Sequence, residues 1–461
     1  MADSTPLSLE GEKETAIPRR VFLQFPWLAC ASRSLSKRGR LGVIFPPRDG
    51  SARIVAMSEA KEGALSGKRG RVSRNVLFLG LTSLIQDVSS ELIQAVLPGF
   101  IVALGGGGLG VGLISGVEES TSSILSIFAG HWSDRFGRRK PLVAGGYGLA
   151  NLAKLGQAFV GGWGQLLGLR LVDRLGKGLR TAPRDALIAD SAAKEERGFN
   201  FGLHRAMDSA GAVLGTALAY LLYRYLALDL RQIILLGGLI GLGALLPLIG
   251  VRERAGPVQR RALLLGLRGL SRPFWLNLSA MMLFAMANLS YMFFWLRVSA
   301  SFPESERLSI ELPILMYALF NLSYTLLSLP AGAVGDRLGR RTVLLGGYLL
   351  FIPVTLGFIR AASLSLFIPL FLALGAVYAL IEGNQRAFAA DLAAREGRGL
   401  ALGVFHMGIG LAALLGSILA GAIWQFASPT ATFVYGSGLA LLAALLLALS
   451  HGIARPESLP R

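Results

Sequence analysis

Cysteine is all but missing. Cys30 stands alone in 461 residues, so an intramolecular disulfide framework is excluded, and no Cys/His group has zinc spacing. Charge is scarce as well: charged residues make up 16% of the chain, where a soluble domain carries roughly a quarter. Apolar residues supply 53% and the mean hydropathy is +0.55. That excess has to face something other than water, and lipid is the simplest answer. Acidic residues are outnumbered, leaving a formal charge of +18, but its distribution argues against a nucleic-acid partner. The basic residues lie in the N-terminal stretch and in short loops between apolar runs, where the positive-inside rule places them. Nucleotide motifs fail on context. Gly105 to Gly110 has G-x-G-x-x-G spacing but follows no strand, so it reads as a tight turn. Leu175-Gly176-Lys177-Gly178 lacks the first glycine and the closing Ser/Thr of an ATP site. The loops are too short to organise an enzyme triad, so neither catalysis nor a cofactor or metal site is expected.

A bilayer core needs about 20 mainly apolar residues per helix. Candidate spans are 76–104, 109–130, 142–162, 164–191, 199–225 and 232–251, then 274–299, 309–335, 342–361, 364–392, 400–427 and 430–452. Every second connection is basic: Arg135, Arg138, Arg139 and Lys140; Lys194 and Arg197; Arg252, Arg254, Arg260, Arg261, Arg268 and Arg272; Arg337, Arg340 and Arg341; Arg395 and Arg398. The opposite connections, such as Gly105 to Gly108 and Gly161 to Gly164, are Gly-rich or nearly uncharged. This alternation places both termini in the cytoplasm. The expected organisation is an all-α integral membrane protein of twelve transmembrane helices. Residues 72–251 form a first six-helix half, 252–273 a basic cytoplasmic connection, 274–452 a second half and 453–461 a cytoplasmic tail.

Residues 1–70 stand outside this pattern. Arg19 and Arg20, the apolar run from Val21 to Ala31, and Ala29-Cys30-Ala31 mimic a signal peptide with its cleavage site. Cleavage there would leave the new N-terminus outside and set every loop against the charge bias. Phe25-Pro26 also interrupts the run, and Met57 opens a plausible start with a Lys/Arg-rich lead into the first span. The segment reads first as a disordered extension upstream of the true start, with an interfacial helix or a real signal as alternatives.

The strongest motif occurs twice. Gly130-x-x-x-Asp134-Arg135-x-Gly137-Arg138-Arg139-Lys140 returns 202 positions later as Gly332-x-x-x-Asp336-Arg337-x-Gly339-Arg340-Arg341. Arg197-Gly198 with Gly202 and Gly215 returns 201 positions later as Arg398-Gly399 with Gly403 and Gly416. Two matches at nearly one offset indicate a duplicated half. The G-x-x-x-D-R-x-G-R-R signature resembles the loop motif of the major facilitator superfamily, and the resemblance covers residues 72–452. It implies two parallel six-helix halves related by an axis along the membrane normal. It also implies a conformational latch, in which the Asp makes charge contacts with neighbouring helix ends and the first Gly lets two helices approach. A carboxylate near a helix N-terminus beside clustered Arg suits such a breakable contact; setting topology alone needs neither the Asp nor the Gly at that spacing. Arg174-x-x-Lys177-Gly178 is similar to a family pattern on span 4 whose Arg is implicated in proton movement, with Lys177 in place of Gln. Gly202, Gly211 and Gly215 partly match the antiporter glycine pattern, with Thr216 where Pro is expected. Asp87 to Glu91, Glu119 to Thr121, and Pro183 to Ala186 resemble a poorly characterised bacterial branch.

At 100° per residue, Arg170, Arg174, Lys177 and Arg184 fall within an arc of about 80° on span 4. A charge at a helix centre costs about 2.5–3.5 kcal/mol on insertion scales, so the stripe must face a wet cavity or acidic partners. Asp87, Glu91, Glu119, Asp173 and Asp185 are available as partners, and His204 and Asp208 share a face of span 5 with Gly211 and Gly215. A buried ion-pair network and a proton pathway are both consistent with this set. The second half is poorer in charge: Glu382 and Arg386, four apart, can pair along one helix. Asn288, Tyr317, Asn321, Tyr324 and Asn384 offer neutral polar contacts, while His406 is expected near a cytoplasmic helix end. The residues and the resemblance together imply a monomeric secondary transporter in a bacterial inner membrane, moving a small molecule by alternating access with the proton as coupling ion, first as efflux. Alternatives are an organic-anion transporter using the span 4 stripe, and a non-transporting sensor or lipid-handling protein.

Overall fold

A computed structural model describes residues 72–136, 138–192, 196–253, 270–393 and 398–450. Expectations for residues 1–70, Gly137, Lys194, most of the central basic connection, Arg395 and the C-terminal tail lie outside them. The described chain is helical nearly throughout. In order, the helices are α1 (Arg74–Ala103), α2 (Gly107–Phe136), α3 (Lys140–Gln157), α4 (Trp163–Ser191), α5 (Arg197–Tyr225) and α6 (Leu230–Ile249). The second half holds α7 (Arg272–Ser299), α8 (Glu306–Leu338), α9 (Arg340–Arg360), α10 (Leu364–Asp391), α11 (Arg398–Phe426) and α12 (Pro429–Leu449). Each expected span corresponds to one helix.

The differences have local causes. α2 and α8 run on to Phe136 and Leu338, past the expected ends at 130 and 335, because Arg135 and Arg337 in their last turns suit the negative helix end. α8 stops where Gly339 adopts φ +89°, a conformation that side-chain-bearing residues avoid. α3 ends at Gln157, five residues short of expectation, before the Gly161-Gly162 connection. α6 bends at Ala244, three residues before Pro247. The break in α7 was not expected: its first part ends at Ala287 and its second begins at Tyr291, with Ser290 accepting from the Met292 amide at 3.4 Å.

Packing repeats between the halves. α1 packs on α5 and α6, as α7 does on α11 and α12; α4 packs on α2 and α3, as α10 does on α8 and α9. The halves meet through α2 against α11 and α5 against α8. Nine of the described helices are long and apolar enough to cross a bilayer; α2, α3 and α4 are not. Those three hold Glu118, Lys154 and Arg170, side chains that lipid would not tolerate and that are buried within the helix bundle. Leu152, Leu214, Leu326, Leu329 and Leu442 point outward instead, as a lipid-facing surface requires.

Candidate functional site

A cavity of about 410 Å³ lies between the halves, near the middle of the helices. α2 and α4 supply Ser115, Glu118, Glu119, Ser122, Arg174 and Lys177; α7, α8 and α10 supply Asn288, Tyr291, Tyr317, Phe320, Tyr324, Tyr378, Glu382 and Arg386. The α7 break lines it, and irregular backbone at membrane depth is tolerated where it borders a cavity. His406 also lines it, eight residues into α11, and not at the helix end expected for it.

The span 4 stripe divides. Arg170 is fully buried and donates to Glu118 and to Gln94 (2.7 Å), with Asp173 at 3.5 Å. Arg174 lies 3.2 Å from the same Glu118 oxygen. Arg184 turns toward α1 and α5, donating to Ser83 (3.1 Å) and pairing with Asp185 (3.0 Å). Ser83 also contacts His204 Nε2 at 3.0 Å, and His204 Nδ1 lies 3.5 Å from Asp208. Lys177 alone of the four makes no side-chain hydrogen bond or ion pair among the described residues. Sequence reasoning named Glu119 on α2, yet the partner of both arginines is Glu118; Glu119 opens onto the cavity.

Asp87 and Glu91 lie outside the cavity wall. They pack over the glycines of α5: a Cβ on Gly211 would stand 2.6 Å from the Leu84 carbonyl oxygen and 3.0 Å from the Asp87 Cβ, and one on Gly215 would stand 2.5 Å from the Val88 carbonyl oxygen. Gly202 meets nothing within 4 Å. Glu91 accepts from the Tyr317 hydroxyl at 2.8 Å, joining α1 to the other half. Glu382 pairs with Arg386 at 2.6 Å, as the four-residue spacing implies, and accepts from Tyr324. Two buried cations escaped the sequence reading: Lys154, held by Ser89 (3.1 Å) and Ser90 (2.7 Å), and Arg180, stacked 4.4 Å above the Tyr147 ring.

The loop signatures sit where helix ends meet. Asp336 lies in the last turn of α8 and pairs with Arg340, the first residue of α9, at 3.2 Å. Gly332 has open space around it, whereas Gly335, abutting Asn384, is the close-approach position. Asp134 lies in the last turn of α2. The carboxylate at a helix start is Glu253, which accepts from the Arg139 and Lys140 amides at the head of α3. Arg139 pairs with Asp190 at the end of α4, and Arg340, 201 positions on, pairs with Asp391 at the end of α10 (2.7 Å). Lys140 donates to the Ile249 and Val251 carbonyls, and Arg341 to those of Leu447 and Ala448. Arg135, Arg138 and Arg337 are exposed.

The polar contacts described between the halves lie toward the face opposite these basic loops. They comprise Gly108 N to Gln425 (3.1 Å), Trp295 Nε1 to the Ala95 carbonyl (3.0 Å), Tyr291 to the Gln94 carbonyl (2.8 Å) and Tyr317 to Glu91. Near the end of α5, buried Glu311 of α8 gathers Arg224 (3.1 Å), Arg307 (3.4 Å) and Tyr220 (3.4 Å). α2 and α11 touch backbone to backbone here: a Cβ on Gly421 would stand 2.7 Å from the Gly108 carbonyl oxygen.

Two pseudo-symmetric lobes enclosing a polar cavity at membrane depth define a multi-pass membrane transporter. The chain belongs to the Major Facilitator Superfamily, whose family model matches residues 79–309 and 300–460. An uncharacterized transporter of this type from Methanocaldococcus jannaschii is 39% identical over 378 residues, 82% of this chain and 94% of the relative. The multidrug resistance protein MdtH of Aeromonas hydrophila is 30% identical over 161 residues, 35% of this chain and 40% of that protein. The crystal structure of the nucleoside transporter NupG superposes with a TM-score of 0.68 at 15% identity, covering 81% of this chain and 98% of that one, a likeness of fold.

Proposed function

We propose that the protein is a monomeric, proton-coupled secondary transporter that exports a small molecule across the cytoplasmic membrane by alternating access. The basic loops and both termini are cytoplasmic in this reading, with residues 72–251 and 274–452 as its two moving halves. The observation that carries it is the asymmetry of the inter-half contacts. They gather on the non-basic side of a midplane cavity, as expected of a carrier closed outside. The Arg139–Asp190 and Arg340–Asp391 pairs brace the cytoplasmic ends of both halves and act with Asp134 and Asp336 as the conformational latch.

For coupling, the reading assigns the proton to Glu119, Asp87 or Glu91, with Arg174 and Lys177 modulating them. A carboxylate whose cationic and hydrogen-bonding neighbours differ between two states binds a proton differently in each, and that difference links proton to substrate. Glu91 has such a neighbour in Tyr317, which belongs to the opposite half. The partial relative named for multidrug resistance favours efflux as the direction. The organic-anion alternative loses support, since Arg170, Arg174 and Arg184 are engaged by Glu118, Asp173 and Asp185. Proteoliposome transport across a panel of small anions and drugs, with and without an imposed pH gradient, tests the reading. Glu119→Gln should abolish pH-driven accumulation while sparing exchange at saturating substrate. If Glu119→Gln, Asp87→Asn and Glu91→Gln all accumulate substrate normally, proton coupling through these groups is refuted.

A further inference from the structure

The cavity wall has two faces of different chemistry. On the second half, Tyr291, Tyr317, Phe320 and Tyr324 run as a band of nearly parallel rings, with neighbouring centroids 4.3, 5.9 and 6.3 Å apart. Tyr378 meets Phe320 edge-on at 5.1 Å. Their hydroxyls are already committed: Tyr291 to Gln94, Tyr317 to Glu91, Tyr324 to Glu382 and Tyr378 to the Leu289 carbonyl. What this band offers an occupant is ring surface, suited to a planar apolar body and poorly suited to a polyol that must replace its hydration with hydrogen bonds.

Of the carboxylate, guanidinium and ammonium groups that line the cavity, all but two are paired. Glu118 is taken by Arg170 and Arg174, and across the cavity Glu382 is taken by Arg386. Glu119 and Lys177 both line the cavity, and neither makes a side-chain hydrogen bond or ion pair among the described residues, with each other or with anything else. A carboxylate and an ammonium left unpaired in one cavity at membrane depth are costly unless an occupant completes them. Asn288 Oδ1 and Asn321 Nδ2, buried without hydrogen-bond partners in the same wall, add one acceptor and one donor. The volume of about 410 Å³ falls in the small-molecule range of about 300–1,000 Å³.

We infer that the substrate is an aromatic zwitterion of about amino-acid size, its carboxylate on Lys177, its ammonium on Glu119 and its ring against the Tyr291–Tyr324 band. The inference rests on the transporter reading above and deepens it by naming the substrate class. An anion alone leaves Glu119 unmatched, and a cation alone leaves Lys177 unmatched. Discrimination therefore comes from two charges of opposite sign as much as from the ring.

The test is calorimetric binding to the full-length protein in nanodiscs at neutral pH without any gradient. The probes are three ligands sharing one ring: L-tryptophan, tryptamine and indole-3-propionate. L-Tryptophan should bind at least about tenfold tighter than either singly charged analogue, since ion pairs shielded from water are worth that much. Lys177→Gln should erase its advantage over tryptamine, Glu119→Gln its advantage over indole-3-propionate, and Lys177→Arg should restore the first. Equal affinities for the three ligands, a uniform loss in both variants, or no binding of any of them would overturn the inference. Because no gradient is used, failure of proton coupling leaves this result untouched. Conversely, absence of indole binding beside gradient-driven transport of another compound would remove the substrate class alone.

Discussion

Replacing one member of the Arg170–Glu118 pair exposes what the buried network is worth. The Arg170 side chain is 1% exposed and that of Glu118 10%, so neither charge can turn to water once its partner is gone. Breaking a buried pair costs about 3–5 kcal/mol. Gln94 at 2.7 Å and Asp173 at 3.5 Å remain on Arg170, which places Glu118→Leu near the lower end, about 3 kcal/mol. Arg170→Met should cost about as much, because it leaves buried Glu118 with only Arg174 (3.2 Å) and the Gln94 amide (3.3 Å). The double variant removes both charges and their desolvation, and should recover most of the loss. Thermal unfolding in detergent is the assay, with an expected fall of about 3 °C or more for each single change and a coupling energy on the order of 2 kcal/mol. Additive losses, or single variants as stable as the parent, would refute the argument that these charges are held for each other. Transport by the double variant then separates roles: a stable but inactive protein assigns the pair to the transport cycle, and a stable active one assigns it to the fold.

The remaining predictions follow the contacts between and within the halves. Glu311→Gln removes the carboxylate that Arg224 and Arg307 share, and because both arginines are about half exposed the effect is on the order of 1 kcal/mol, roughly fivefold in the population open on that face. Spin labels at positions 225 and 308 should report a larger long-distance fraction, and an unchanged distribution would sink the idea. Asp190→Asn and Asp391→Asn should each cost under about 1 kcal/mol in stability, since both carboxylates are more than half exposed. Both should nonetheless slow transport measurably; normal rates in both would show that these pairs are not part of the latch. Gly215→Leu drives a side chain into the Val88 carbonyl and should lose transport, whereas Gly202→Leu, with open space, should be tolerated; equal activities would remove α5–α1 packing from the mechanism.

What could be read from the sequence follows from which constraints are local. Lipid imposes its composition rule on each span separately, so the helices and the doubled half could be placed before any contact was known, nine of them by length and apolar composition alone. The partners of the arginines were not. Val117, Glu118 and Glu119 are consecutive on a helix that advances 100° per residue, and nothing local decides which carboxylate turns to α4 and which to the cavity. The Asp190 and Asp391 contacts join residues 51 positions from their arginines, a pairing that only the packed lobe creates. Glu311 is five residues inside α8, and its partner Arg224 comes from α5, which no spacing along α8 reveals. The α7 break carries no Gly or Pro, only Asn288, Leu289 and Ser290, so turn chemistry gave no warning. One sequence signal did reach the site. Among the described helices, the three that fail the apolar rule are α2, α3 and α4. Two of them bring Glu119 and Lys177 to the cavity, and the third ties to α1 through buried Lys154, which donates to Ser89 and Ser90. Where a span departs from what lipid demands, the departure has to be balanced inside the protein. Along the cavity wall that balance is made by the Glu118–Arg174 and Glu382–Arg386 pairs and is left open at the two groups assigned to the substrate.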